Sequence, residues 1–340
     1  MLSPAQQNST SDCLAGADGE LNMFKNLIIK KFKSKLLTRY DPDGSILYLS
    51  PEDVGLQYRP FGFSGDRGQR LQGYFYTKGE ARADRLIVFD HGMGCGHKAY
   101  MREIATICER GYEVFAYDHT GTLESEGEHI GGFTQSLADL DHAISALKAA
   151  GAVGERKIAV IGHSWGGFST MNIAAYHPDI THVVPISGFI SPREMIECVL
   201  GGLKRYAPAL FALEEERFGS YAYSDSRLTL KLAKNTKALV IHSTDDATCT
   251  ISHLEKLHCA IGEGKNVAYL VVEEKNHNPN FTTEAVKYKD RFFNELTALK
   301  KKNKLKTDGE KAEFVAKWDF LKMTEQDAEL WQTIFNFLEK

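Results

Sequence analysis

At 340 residues the chain has room for one large domain or two smaller ones around a substantial core. A formal net charge of −4 and a pI near 6.3 leave no global basic field for nucleic acid. The six cysteines are scattered without zinc or C-x-x-C spacing, no apolar run reaches the length of a membrane span, and the N-terminus lacks the layout of a signal peptide, so a cytoplasmic protein without a transmembrane segment is expected.

Residues 1–54 read as an N-terminal extension to a main domain over 55–340. Its first 20 residues are polar and expected to be disordered. Residues 22–40 form a basic amphipathic stretch, with Phe24, Leu27, Ile28, Phe32 and Leu36 set among lysines. Such a helix packs its apolar stripe on the domain or, in the sharper alternative, meets a membrane surface or a partner. Gly55–Phe63 and Gln69–Thr77 then read as a strand pair around the turn Ser64-Gly65-Asp66-Arg67-Gly68.

Arg85–Phe89 is a buried strand leading into Asp90-His91-Gly92-Met93-Gly94-Cys95-Gly96-His97. Alternating glycines let backbone N–H groups come close to a ligand. Their spacing matches neither G-x-G-x-x-G nor G-x-x-x-x-G-K-[ST], which argues against a nucleotide-binding loop. A helix over His97–Arg110, a strand over Tyr112–Tyr117 and a helix over Thr134–Ala150 follow, the last with a stripe at Leu137, Leu140, Ile144 and Leu147. This alternation predicts an α/β fold: a mostly parallel central sheet with helices on both faces and a ligand crevice at the carboxyl ends of the strands.

The strand Lys157–Ile161 runs into Gly162-His163-Ser164-Trp165-Gly166-Gly167, with a helix directly behind. This is the G-x-S-x-G nucleophile elbow. A serine at so sharp a turn takes strained backbone angles, and its neighbours two before and two after must lack side chains or they would collide. In return Oγ projects clear of the chain, and the helix N-terminus offers unpaired N–H groups to a developing oxyanion.

A serine hydroxyl is a weak nucleophile until a base takes its proton and an acid orients the base. After the strand Thr181–Ile186, a helix-like, apolar stretch reads as a cap insertion over 188–235; much of its stripe, from Met195 and Ile196 through Leu210 and Phe211 to Tyr223, is ordinary packing, and some of it is expected to face the cleft. The strand Ala238–His242 precedes Ser243-Thr244-Asp245-Asp246, and Val267–Val272 precedes Glu273-Glu274-Lys275-Asn276-His277-Asn278-Pro279. The chain order is therefore Ser164, Asp246, His277. A lysine-rich run, a solvated linker or a highly charged helix end, marks 299–324 as a charged linker before a closing helix at Glu325–Glu339, which has Leu330, Trp331, Ile334, Phe335 and Leu338 to bury.

Elbow, acid and histidine in this order resemble the α/β-hydrolase superfamily over about residues 55–298 and the last helix. In that family the acid commonly sits three residues after a glycine that closes its strand. Ser243 holds the glycine position here, and three residues on stands Asp246, with Asp245 the alternative. The resemblance also implies oxyanion donors at the N–H groups of Met93 and Trp165, with His91, Gly92 and Gly94 supporting the loop. No metal or cofactor is implied. The resemblance implies a small-molecule carboxylic ester with an apolar acyl or aromatic part as substrate; a thioesterase, or a serine peptidase of aminopeptidase or acylaminoacyl type, would use the same triad. A catalytically silent binding protein on this fold is disfavoured by an intact Ser, Asp and His. Dehalogenation needs a carboxylate at the elbow, which Ser164 is not.

Overall fold

Eight strands form one sheet: β1 (Gln57–Ser64), β2 (Arg70–Thr77), β3 (Arg85–Asp90), β4 (Glu113–Tyr117), β5 (Lys157–His163), β6 (His182–Ile186), β7 (Lys237–Ser243) and β8 (Val267–Val272). Across the sheet they lie in the order β1-β2-β4-β3-β5-β6-β7-β8. β2 runs antiparallel to both β1 and β4, and every other neighbouring pair is parallel. The mostly parallel sheet expected from the alternation of elements is thus observed. The computed structural model describes residues 26–340 apart from 35 and 265; the tail expected to be disordered, residues 1–20, lies outside them.

Successive side chains of a strand point to opposite faces, so the central strands feed two cores. Leu86 and Val88 of β3 enter one core, and Ile87 and Phe89 enter the other. The second core is closed by α2 (Met101–Glu109) and α12 (Ala328–Leu338), whose Trp331, Ile334, Phe335 and Leu338 are buried as their spacing required. On the opposite face lie α3 (Gln135–Ala149), α4 (Trp165–Asn172) and α8 (Ser252–Ile261). The basic helix α1 (residues 26–34) joins this face: Phe32 is buried and meets Phe133 edge-on at 5.9 Å, which favours packing on the domain over a free amphipathic surface.

The segment between β6 and β7 holds α5 (Pro192–Leu200), α6 (Ala207–Phe218) and α7 (Ser226–Leu232), a long helical insertion. Ser191 caps α5 by accepting the Glu194 N–H at 3.2 Å. Met195, Ile196, Leu210 and Phe211 are buried in the same core as Phe168 of α4, and Glu214 reaches across to accept the N–H groups of Phe133 (2.8 Å) and Thr134 (3.0 Å).

The expected charged linker over 299–324 is corrected by what the chain does there. It is largely helical: α9 (Thr283–Lys301) extends into it, and α10 (Asp308–Val315) and α11 (Phe320–Met323) follow. Phe292 and Leu296 of α9, Phe314 of α10 and Phe320 and Met323 of α11 form a third, smaller core. Lys300 and Lys301 of α9 and Lys322 of α11 lie on the exposed side of their helices, and Lys302, Lys304 and Lys306 are exposed in the turn between α9 and α10. Thr307 and Glu310 close a capping box at the start of α10.

Candidate active site

Ser164 follows β5 directly and caps the start of α4 with φ +58° and ψ −111°, backbone angles that a side chain seldom tolerates. The flanking glycines are required by contact. A Cβ on Gly162 would stand 2.3 Å from the Gly166 carbonyl oxygen, and one on Gly166 would stand 2.1 Å from the carbonyl oxygen of Asp90. The Ser164 N–H donates to Ile186 at 2.8 Å and its carbonyl accepts from Phe168 at 3.1 Å, so the turn is tied both to the neighbouring strand and to its own helix. Trp165 is the first residue of α4, and its N–H has no intrahelical acceptor.

The loop after β3 lies directly against this elbow. A Cβ on Gly92 would lie 3.4 Å from Ser164 Cβ. The Gly92 carbonyl is held by the buried His91 Nδ1 at 2.8 Å and by Cys95 Sγ at 3.3 Å. His91 Nε2 accepts the His119 N–H at 3.0 Å, so His91 carries its proton on Nδ1, and burial with His119 nearby keeps it neutral. Because the peptide is planar and trans, fixing the Gly92 carbonyl aims the Met93 N–H the opposite way. Gly94 takes φ +83°, a left-handed angle that lets the loop turn back. Burial pushes the Cys95 thiol up to about 12, so it serves as a small filler and a weak donor.

The loops after β7 and β8 meet in front of the serine. His277 Nδ1 lies 2.7 Å from Asp246 Oδ2, and the other carboxylate oxygen accepts the N–H groups of Thr248 (2.8 Å) and Cys249 (2.9 Å). Burial opposes charge on Asp246, but the His277 pair and these hydrogen bonds outweigh it and hold its carboxyl below the usual range. The proton on His277 therefore sits on Nδ1, leaving Nε2 as the bare acceptor. Asp245 has a different job: its carboxylate accepts from Ser243 Oγ at 2.5 Å and the Asn276 N–H at 3.0 Å, pinning the histidine loop.

Ser164 and His277 both line a cavity of about 500 Å³. Ser164 Oγ lies beside the buried Cys249 thiol and makes no hydrogen bond to His277 Nε2.

The sequence model of the serine aminopeptidase S33 family matches residues 81–225, which span the glycine loop and the elbow. An esterase from Pyrococcus furiosus has the same fold, with a TM-score of 0.55 over 83% of this chain and 98% of its own at 17% identity. The chain has the α/β-hydrolase fold. A pyrethroid hydrolase from Sphingobium wenxiniae is 31% identical over 93 residues, 27% of this chain and 31% of its own length. RutD of Klebsiella pneumoniae, which carries a provisional carbamate hydrolase name, is 30% identical over 108 residues. The match to RutD covers 31% of this chain and spans 38% of RutD's length.

The walls of the cavity come from unexpected places. Leu47 and Leu49 of the N-terminal extension, Phe293 of α9 and Phe320 and Met323 of α11 line it, while no residue of 188–235 does. Met195, Ile196, Leu210 and Phe211 of that insertion are buried in the core that also holds Phe168 and Phe189, while Val199, Leu203 and Tyr223 are exposed. Ionisable side chains also line the cavity, among them Glu103, which burial raises to about 7, and Lys289, whose ammonium donates to Asn278 Oδ1 at 2.8 Å. Neither was singled out in the sequence. Glu103 sits on the α2 face that periodicity assigns to the core, and only the approach of α9 gives it a cationic neighbour. No helix among the described residues is long and apolar enough to cross a membrane.

Proposed function

We propose that this chain is a serine hydrolase that cleaves a carboxylic ester with an apolar acyl or aromatic group, through Ser164, His277 and Asp246. The observation that carries the reading is the His277 Nδ1–Asp246 contact of 2.7 Å on the same cavity as a serine held at φ +58°. His277 Nε2 takes the hydroxyl proton as Ser164 Oγ attacks the substrate carbonyl, and Asp246 stabilises the imidazolium that results. The N–H groups of Met93 and Trp165 receive the oxyanion; each such donor is typically worth about a hundred- to a thousandfold in rate. His277 passes its proton to the leaving alkoxide, an acyl-serine remains, and water attacks that ester with His277 again as base.

Leu47, Phe293, Phe320 and Met323 supply the apolar wall for the acyl or aromatic group. The S33 family match supports a second reading, a serine aminopeptidase using the same groups; its 81–225 range stops short of Asp246 and His277. A thioesterase would use them too. All five cysteines among the described residues are free thiols, which supports a reducing, cytoplasmic setting.

Hydrolysis of p-nitrophenyl esters from acetate to octanoate, with and without competing aminoacyl anilides, tests the assignment. The expected result is turnover that improves as the acyl chain lengthens, is weakly inhibited by the anilides and disappears in Ser164→Ala. Preferential cleavage of the anilides would move the assignment to the peptidase.

A further inference from the structure

Two buried side chains that take no part in the proposed chemistry join the loop carrying Gly92 and Met93 to the loop carrying His277. The Gly92 N–H donates to Tyr100 Oη at 3.1 Å, Tyr100 Oη lies 2.8 Å from His163 Nδ1, and His163 Nε2 lies 2.7 Å from the His277 carbonyl oxygen. These contacts admit one assignment of protons. A carbonyl oxygen only accepts, so Nε2 of His163 carries its proton and Nδ1 is bare. Tyr100 must then donate to Nδ1, which leaves its lone pair for the Gly92 N–H. Asn278 Nδ2, 3.4 Å from the same Nε2, carries hydrogens itself and does not compete.

We propose that Tyr100 and His163 are positioning residues that fix the Gly92–Met93 peptide relative to the imidazole of His277, so that oxyanion donor and base address the same carbonyl.

This rests on the reading of Ser164, Asp246 and His277 as a triad. Gly92 is gripped at both polar atoms, its N–H by Tyr100 and its carbonyl by His91 and Cys95. The fit is close, since a Cβ on Gly92 would stand 2.6 Å from Tyr100 Oη and 3.5 Å from His163 Nδ1. At the other end the histidine loop carries two strained residues, Glu274 at φ +56° and Asn276 at φ +46°. A loop held in such angles needs fixed anchors, and the His277 carbonyl is one of them. Burial keeps His163 neutral down to about pH 3, so the link does not switch while His277 works. The position before the nucleophile is thereby given a reason to be histidine: a side chain with one donor and one acceptor on opposite sides of a ring.

The two ends of the ring can be separated. In His163→Gln the amide reaches the place of Nε2 and can still donate to the His277 carbonyl; in His163→Asn the shorter amide reaches only the place of Nδ1 and can accept from Tyr100. Kinetics with p-nitrophenyl acetate, together with thermal melts, are measured for Tyr100→Phe, His163→Gln, His163→Asn and Ser164→Ala. Tyr100→Phe and His163→Asn are expected to lower kcat roughly ten- to hundredfold with KM within about twofold of wild type, the size of a misplaced reacting group. His163→Gln should retain several times the kcat of His163→Asn. If Tyr100→Phe fails to fold, the Gln and Asn pair still decides. Folded variants with wild-type kcat, or equal losses in Gln and Asn that follow Tm, overturn the positioning role. An inactive Ser164→Ala beside unaffected Tyr100 and His163 variants overturns the link alone, whereas an active Ser164→Ala overturns the triad and the link with it.

Discussion

Asp246 accepts the His277 Nδ1–H at 2.7 Å, while Asp245, one residue earlier, accepts the Asn276 N–H at 3.0 Å and the hydroxyl of Ser243. Asp246→Asn should therefore lower kcat by about three to four orders of magnitude, because an amide stabilises the wrong tautomer of the base. Asp245→Asn should keep kcat within about tenfold and act mainly on the thermal stability of the loop. Steady-state rates of the two variants check this, and the reverse ranking would make Asp245 the acid. Ser164 and His277 were legible because each sits just after an apolar run, at a turn whose composition has a geometric cause. The acid was legible only to within one residue, since two aspartates follow one strand and side-chain direction is settled by the loop. Tyr100 and His163 were invisible as a pair: 63 positions apart, they meet only because β3 and β5 are neighbours in the sheet.

The helices that shape the cavity are α2, α9 and α11, assisted by the segment around Leu47, and the insertion between β6 and β7 takes no share in lining it. Alternation of strand and helix made the sheet readable, because buried parallel strands are short apolar runs and amphipathic helices repeat every three or four residues. The same rule failed over 299–324. Its apolar contacts, Phe314, Phe320 and Met323, are spread over two short helices and complete their core with Phe292 and Leu296 from α9, so no single window shows a stripe through the lysines. The insertion misled in the opposite sense: a continuous stripe was ample for a cap, but Met195, Ile196, Leu210 and Phe211 go into the main core and Val199, Leu203 and Tyr223 face outward. Phe320→Ala should raise KM for a phenylacetate-type ester at least about threefold. Leu210→Ala, fully buried in the insertion, should lose roughly 2–5 kcal/mol of stability and leave KM unchanged. Substrate saturation curves and urea melts on both variants separate the two roles; a KM change confined to Leu210→Ala would place the binding wall in the insertion.

Charge is buried throughout the molecule, and the pH dependence of its stability follows. Burial holds His163 at about 3 and His182 and His253 at about 4, against 6.5 when exposed. Below pH 6.5 the unfolded chain takes up protons that the folded chain refuses, so stability is lost as pH falls from 6.5 toward those values. His119 runs the other way. Burial disfavours its charge, but Asp90 and Asp139 outweigh burial and raise it to about 9, so its contribution is complete below 6.5 and disappears as pH rises through 9. Glu103, raised by burial from 4.5 to about 7, likewise contributes at low pH and loses its share as pH rises through 7. Three histidines lose stability on the acid limb against His119 and Glu103 on the alkaline one, which makes the acid limb the steeper. Melting temperatures from pH 5 to 9.5 at constant ionic strength should peak near neutrality and fall faster on the acid side. A flat profile between pH 5 and 6.5 would contradict the burial of three neutral histidines.

The central claim is that Ser164 is an activated nucleophile, and covalent labelling reads it without a known substrate. A fluorophosphonate probe is reacted with the wild-type chain and with Ser164→Ala, and the adduct is located by peptide mass spectrometry. A single phosphonylated residue, Ser164, with labelling abolished in Ser164→Ala and strongly slowed in His277→Ala, is the expected result. A folded wild-type protein that stays unlabelled, or an adduct elsewhere that persists in Ser164→Ala, would contradict the account.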